Sequence, residues 1–240
     1  MNLLGMTFIP NIMHAIMDAI APLHCETCDQ CISGNTHVHR ICDACLYMFE
    51  GAPNDDILLN QLYTQNNKDS FVCSIESHFA FHQEAPIQRI IYAIKYGNAQ
   101  YMAFDFGKYL ARIKKHTEVD YYVPVPLHRA RVRERGYNQS LLIAQGISSV
   151  TKVPVIHSLE RLHYSTTQTK LSSKDRMQNV QGIFSIKNAD RIRGKRLMLL
   201  DDVMTTGSTL EECAQVLLES GARSVSALTL AAATSTRGIQ

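Results

Sequence analysis

The run Leu197-Met198-Leu199-Leu200, followed by Asp201-Asp202 and then Val203-Met204-Thr205-Thr206-Gly207-Ser208-Thr209, constrains the fold more than any other stretch. Four apolar residues without alternation read as a parallel strand covered on both faces. Leu210 to Ser220 reads as a helix, with Ala214, Leu217 and Leu218 on its inner side and Gly221 as its stop. Ser208 with Glu211, or Thr209 with Glu212, matches the S/T-x-x-E signature of a helix start. Strand, short loop and helix form one α/β unit, so an α/β fold is expected.

That order also dictates chemistry. A loop that opens a helix presents unpaired N–H groups and the positive end of the helix dipole, and both favour phosphate. Gly207 permits close backbone approach, while Thr205, Thr206, Ser208 and Thr209 add hydroxyl donors. Asp201 and Asp202 stand where carboxylates accept from sugar hydroxyls or hold Mg²⁺ through water. The combination suits a ribose 5-phosphate. A Walker loop is excluded, because its lysine and glycine spacing are missing. The bland alternative is an αβ crossover with two incidental acids at a strand end.

These thirteen residues resemble the phosphoribosyl-pyrophosphate (PRPP) loop of type I phosphoribosyltransferases, matching its hydrophobic–acid–acid–loop pattern position by position. With 240 residues there is room for one full domain and a small appendage. A formal charge of +2 says nothing about partners, so any nucleic-acid argument must rest on local clusters.

Five of the seven cysteines crowd between Cys25 and Cys45. Cys25-Glu26-Thr27-Cys28 and Cys42-Asp43-Ala44-Cys45 form two C-x-x-C knuckles thirteen residues apart, the spacing of a closed, tetrahedral structural Zn²⁺ site. Cys28-Asp29-Gln30-Cys31 repeats the pattern, so Cys31 is an alternative ligand to Cys25, and His37 and His39 lie nearby, where loop histidines are more often solvated. Cys73 and Cys213 read as buried small hydrophobes. Ile12, Met13, Ile16, Met17 and Ile20 make a short amphipathic helix, with Leu46 and its neighbours continuing the small core. No signal peptide or membrane span is evident, and the cytoplasm is the expected compartment.

The expected organisation is a zinc module over 1–52, a connecting segment with the first strand over 53–85, and the main α/β domain over 86–240. Asn60 to Ser70 is polar and reads as loop. Phe71 to Phe81 reads as a strand with Phe71, Cys73 and Ile75 on one side and Val72, Ser74 and Glu76 on the other. A helix follows from Pro86 with Ile87, Ile90, Ile91 and Ile94 inward, then another over Gln100 to Lys115 through Met102, Phe106, Tyr109, Leu110 and Ile113. Lys95-Tyr96-Gly97 reads as a helix C-terminus with its favoured cation and glycine, ahead of a phosphate contact.

Tyr121 to Leu127 reads as a strand ended by Pro124 and Pro126 and followed by a rigid loop. His128, Arg129, Arg131, Arg133 and Arg135 then concentrate positive charge, enough for pyrophosphate or a nucleic-acid backbone. Such runs are otherwise solvated faces. Tyr137 offers a base-stacking surface beside them.

Val123-Pro124-Val125-Pro126-Leu127-His128, Arg131 and Arg135-Gly136-Tyr137-Asn138-Gln139 closely resemble the ComF family of competence-associated proteins, as do Gln168, Leu171, Arg176, Asn179, Gly182 and Phe184. The resemblance implies a type I phosphoribosyltransferase-like parallel sheet flanked by helices, fused to the small N-terminal zinc-binding module. It implies a pyrophosphate loop at Pro126 to Arg129, a mobile cover loop over Leu162 to Gln181, and a returning strand at Gly182 to Ile186. It also implies a role in DNA uptake during natural transformation, with single-stranded DNA and a helicase as partners. The alternative is an active phosphoribosyltransferase. There PRPP·Mg²⁺ would bind with its phosphate on Thr205–Thr209 and its ribose on Asp201 and Asp202, the arginines would stabilise leaving pyrophosphate, and a nitrogen acceptor would attack C1.

Overall fold

The computed structural model describes residues 23–32, 34, 36–66, 70–113, 118–162 and 182–234. It divides into two compact units, Met1–Met48 and Phe49–Gln240. The division falls just ahead of Gly51-Ala52-Pro53, and the expected connecting segment lies wholly in the second unit. The expected amphipathic stripe at Ile12 to Ile20 lies outside the described residues, as does all but Leu162 of the expected cover loop over Leu162 to Gln181.

In the first unit the cysteine knuckles are closed by two antiparallel bridges, His24 with Cys31 and Val38 with Ile41. One short helix follows, α1 (Asp43–Met48). Val38, Ile41 and Leu46 are buried. The expected continuation of that core stops at Leu46, because Tyr47 and Met48 turn outward.

The second unit is built on a four-stranded, wholly parallel sheet in the order β1-β6-β5-β2. Its strands are β1 (Ile75–Phe81), β2 (Tyr121–Pro124), β5 (Arg196–Met204) and β6 (Ser224–Ala233). In β6 the eight residues Val225 to Ala232 are all buried, Ser226 and Thr229 among them, as a strand of a parallel sheet with both faces covered must be. Beyond β2 the segment at Val155 pairs in parallel with Tyr122, and beyond β1 Gly51 pairs antiparallel with Phe79, so neither edge is left bare. A separate antiparallel pair, β3 (Leu159–Arg161) and β4 (Phe184–Ile186), brackets the cover-loop segment.

The helices are α2 (Asp55–Asn66), α3 (Pro86–Tyr96), α4 (Gln100–Ile113), α5 (Arg129–Arg135), α6 (Gln139–Thr151) and α7 (Ser208–Glu219). Ile87, Ile90, Ile91 and Ile94 of α3 are buried, as their spacing requires. Met102, Phe106, Tyr109 and Leu110 of α4 are buried too, but Ile113 is exposed at the helix end. Helices α4 and α6 cross at Gly107 and Gly146, where a Cβ would stand 2.2 Å from the Ile143 carbonyl oxygen and 2.0 Å from that of Phe104.

Two elements depart from expectation. Asn60 to Asn66 is the second half of α2, not a loop: Leu58 and Leu62, one turn apart, are fully buried, while Asn60 between them faces solvent. The first edge strand begins only at Ile75, and ahead of it the inward phase is reversed. Val72 is buried and Cys73 is exposed, so Cys73 is no core residue, whereas Cys213 is. Among the described residues no helix is long and apolar enough to cross a membrane.

Candidate functional site

In the first unit, the sulfurs of Cys25, Cys28, Cys42 and Cys45 lie within 4.8 Å of one another. Thiolates around one tetrahedral Zn²⁺ stand about 3.8 Å apart, given Zn–S bonds of about 2.3 Å. Cys28 Sγ and Cys42 Sγ are 3.9 Å apart, so the set fits a metal of that size. Burial pushes the Cys25 thiol up, but N–H groups of Cys42, Cys28 and Thr27 outweigh it and hold the group down to about 6. The Cys42 N–H reaches Cys25 Sγ at 3.4 Å. Cys31 is exposed and outside the cluster, so the choice between it and Cys25 falls to Cys25. His37 is also outside it, with Nδ1 2.9 Å from Asp43 Oδ1. His39 is not in the set either.

In the second unit β5 extends through Met204, so Asp201 and Asp202 sit inside the strand, near its C-terminal end. Adjacent strand residues point to opposite faces, and the two acids accordingly have different partners. Asp201 Oδ1 accepts from Ser140 Oγ of α6 and from the Asp202 N–H, each at 2.9 Å. Burial and the Asp202 charge push the Asp201 carboxyl up to about 7. Asp202 Oδ1 accepts from the Val203 N–H at 2.8 Å, and its Oδ2 lies 3.0 Å from Lys95 Nζ at the end of α3. Lys95 is therefore more than a terminal cation, and only its long-range partner reveals this.

Thr205, Thr206 and Ser208 are exposed at the mouth of the loop, Thr209 is half-buried and Gly207 is buried. Gly207 caps α7 with φ +77°, so neither expected capping box forms. Glu211 turns away from the cap: its carboxylate accepts from Ser70 Oγ and, at 2.9 Å, from the Phe71 N–H. A Cβ on Gly207 would stand 1.9 Å from Leu62 Cδ2. Leu62 belongs to the core beneath the loop, with Met204, Leu210 and Cys213. Gln61 Nε2 donates to the Thr205 carbonyl at 3.3 Å. Helix α2 thus braces the loop from behind while its hydroxyls stay open to solvent.

The arginine run forms α5 and not a rigid loop. His128 is its N-cap, Nδ1 accepting from the Ala130 N–H at 3.2 Å. At about 100° per residue, Arg129 and Arg133 share one side of α5 and Arg131 and Arg135 the other. The four therefore do not converge on a single ligand. Arg129 pairs with Glu160 at 2.9 Å and Arg131 with Glu134 at 2.8 Å. Arg133 is exposed and has no partner among the described residues. Arg135 lies over the Tyr96 ring, 5.1 Å from its centroid, and donates to Gln139 Oε1 at 3.2 Å.

The segment Arg135 to Gln139 is a structural corner. Gly136 takes φ +80° to end α5. Tyr137 is buried and its hydroxyl donates to the Ile94 carbonyl, so it offers no stacking surface. Asn138 caps α6 through Ser140 N and ties down the Val125 carbonyl through Nδ2, each at 3.0 Å. Val125 N in turn donates to the Leu200 carbonyl at 2.9 Å, which sets the loop after β2 beside the acids of β5. Sequence reasoning did not identify Ser140, Gln61 or Glu211 as part of this framework; their polarity alone carries no such signal.

A family model described as the phosphoribosyl transferase domain matches residues 137–238, and the parallel sheet flanked by helices is the type I phosphoribosyltransferase fold. Competence protein ComFC of Bacillus subtilis is 34% identical over 199 residues, 80% of this chain and 72% of that protein. The chain belongs to the ComF family. Competence protein F of Haemophilus influenzae is 38% identical over 113 residues, 46% of this ComF-family chain and 49% of the relative. DNA utilization protein YhgH of Escherichia coli strain K12 is 30% identical over 148 residues, covering 58% and 64%. The match thus spans about half the length of the Haemophilus relative and just under two thirds of the Escherichia one.

Proposed function

We propose that this ComF-family protein acts in the cytoplasm as a factor for DNA uptake in natural transformation, binding single-stranded DNA and a PRPP-type phosphosugar. The observation that carries the role is the alignment with a competence protein over 80% of the chain. The phosphosugar reading rests on the exposed Thr205, Thr206 and Ser208 at the start of α7, one strand-end away from Asp201 and Asp202. Phosphate would be held by the first N–H groups of α7 and these hydroxyls, ribose hydroxyls by the carboxylates. Mg²⁺ would be held by Asp201 and Asp202 through water, and it would neutralise diphosphate charge. Structural Zn²⁺ would be held by Cys25, Cys28, Cys42 and Cys45. Exposed Arg129 and Arg133 supply backbone-binding charge, and a helicase is the expected partner on the DNA.

The test is a transformation assay with Asp201→Ala plus Asp202→Ala in the full-length protein. Transformation should fall at unchanged protein level; unchanged transformation makes the sugar site dispensable to the role. Binding of a labelled oligo-dT strand should weaken steeply with salt, and binding no better than to a neutral control protein contradicts direct DNA handling.

The second reading, an active phosphoribosyltransferase, is favoured by one feature. Asp201 is raised to about 7, the range in which a carboxylate can take a proton from a nitrogen acceptor. Release of pyrophosphate from PRPP in the presence of nucleobases, lost in Asp201→Asn, would support it.

A further inference from the structure

Tyr137 was the aromatic residue expected to stack on bases, and it is buried. The aromatic surface lies on α3. At about 100° per residue, Gln88, Arg89, Tyr92, Ala93 and Tyr96 occupy one side of that helix, opposite its buried isoleucines. Together with Gly97 they line an open cavity of about 650 Å³. Tyr92 is 65% exposed and Tyr96 50% exposed, and their ring centroids stand 4.7 Å apart at an interplanar angle of 47°.

Folding alone gives little reason to leave two adjacent aromatic rings in water. The charged side chains that line this face or lie over its rings are basic. Arg89 is exposed and has no partner among the described residues, and the Arg135 guanidinium lies over Tyr96. None of the lining residues is acidic. Lys95, on the same helix beside this face, pairs with Asp202 at 3.0 Å, so α3 carries both the rings and a contact to the candidate phosphosugar site.

The geometry points to the Tyr92–Tyr96 face of α3 as the platform on which bases of single-stranded DNA stack, with Arg89 and Arg135 on the strand's phosphates. Every base offers a π-face, so such a platform is tolerant of sequence. A duplex keeps its bases stacked inside and cannot use it. The inference rests on the reading that this protein handles single-stranded DNA, and it states where the bases go.

The test uses the full-length protein and a labelled oligo-dT strand at fixed salt. Tyr92→Ala plus Tyr96→Ala should weaken binding at least about tenfold, and Tyr92→Phe plus Tyr96→Phe should leave it within about twofold, because stacking needs the ring and not the hydroxyl. Both pairs are exposed, so unchanged melting temperatures check the fold. The chain has no tryptophan, so tyrosine emission reads directly, and oligo-dT should quench it in the parent more than in the alanine variant. If the parent binds strand and the alanine variant binds equally well, the platform is wrong while DNA handling stands. If dTMP at equal nucleotide concentration displaces the strand completely, the face is a mononucleotide pocket and the inference is overturned. If the parent binds no strand at all, the functional reading fails, and the platform with it.

Discussion

Gly207 is held by two independent demands. Its backbone occupies the left-handed region, and Leu62 fills the space where a side chain would begin. Gly207→Ala is therefore expected to cost about 2–4 kcal/mol, backbone strain adding to overpacking. Leu62→Ala alone should cost about 2–5 kcal/mol as a core truncation. The double variant should cost clearly less than the sum, since the shorter side chain vacates the space the new methyl needs. Urea unfolding of the four proteins checks this, and simple additivity would contradict the contact. Asp201 makes a second prediction at this scale. Burial and the Asp202 charge raise its carboxyl to about 7, above the value of about 3.9 expected in the unfolded chain. The folded protein thus binds more protons between these values, so stability falls as pH rises through that window and stays lower above it. Asp201→Asn keeps an oxygen that can accept from Ser140 and the Asp202 N–H but carries no charge. It should melt higher than the parent at pH 8 and together with it near pH 4; a difference constant across that range excludes the burial effect.

At the scale of elements, legibility followed the reach of the interaction. The strand-loop-helix from Leu197 to Ser220 was readable because a buried parallel strand and a glycine-hydroxyl turn are written in adjacent residues. Helix α3 was readable for the same reason, its four isoleucines repeating at helical spacing. Helix α2 was not, because among its described side chains only Leu58 and Leu62 are fully buried and Ile57 points to solvent, so its apolar stripe is too narrow to stand out among polar neighbours. Lys95 was read as a helix-end cation because its partner, Asp202, lies more than a hundred residues away. Likewise Tyr137 suggested a stacking surface, whereas in place its hydroxyl pins α3 through the Ile94 carbonyl and the corner around it turns the chain between two helices. The α4–α6 crossing depends on Gly107 and Gly146, whose absent side chains allow each backbone to rest on the other helix's carbonyls. Gly146→Ala is expected to destabilise by about 3 kcal/mol or more, since the obstruction is backbone and cannot rotate away. A shift of the urea midpoint as small as for an exposed Ser149→Ala control would refute that packing.

The two units differ in what holds them together, and this governs how the whole molecule should respond to metal removal. The second unit has a parallel sheet covered on both faces and a core drawn from six strands and two helices. The first has little apolar burial among its described residues beyond Val38, Ile41, Leu46 and the cysteines themselves. So small a core cannot offset chain entropy, whereas a four-thiolate Zn²⁺ site is worth about 10–16 kcal/mol at neutral pH. Chelation should therefore unfold the first unit alone. Circular dichroism should keep most of its helical signal and a thermal transition close to the parent's, while protease cleavage concentrates ahead of Phe49. Cys42→Ser should reproduce the pattern, and Cys31→Ser should not, because Cys31 stands outside the sulfur cluster. Acidification should mimic chelation, since protons compete for the same thiolates and release the metal as pH falls. A single cooperative transition that moves as a whole on chelation would show instead that the second unit depends on the metal, and the independence argued from its core would be lost.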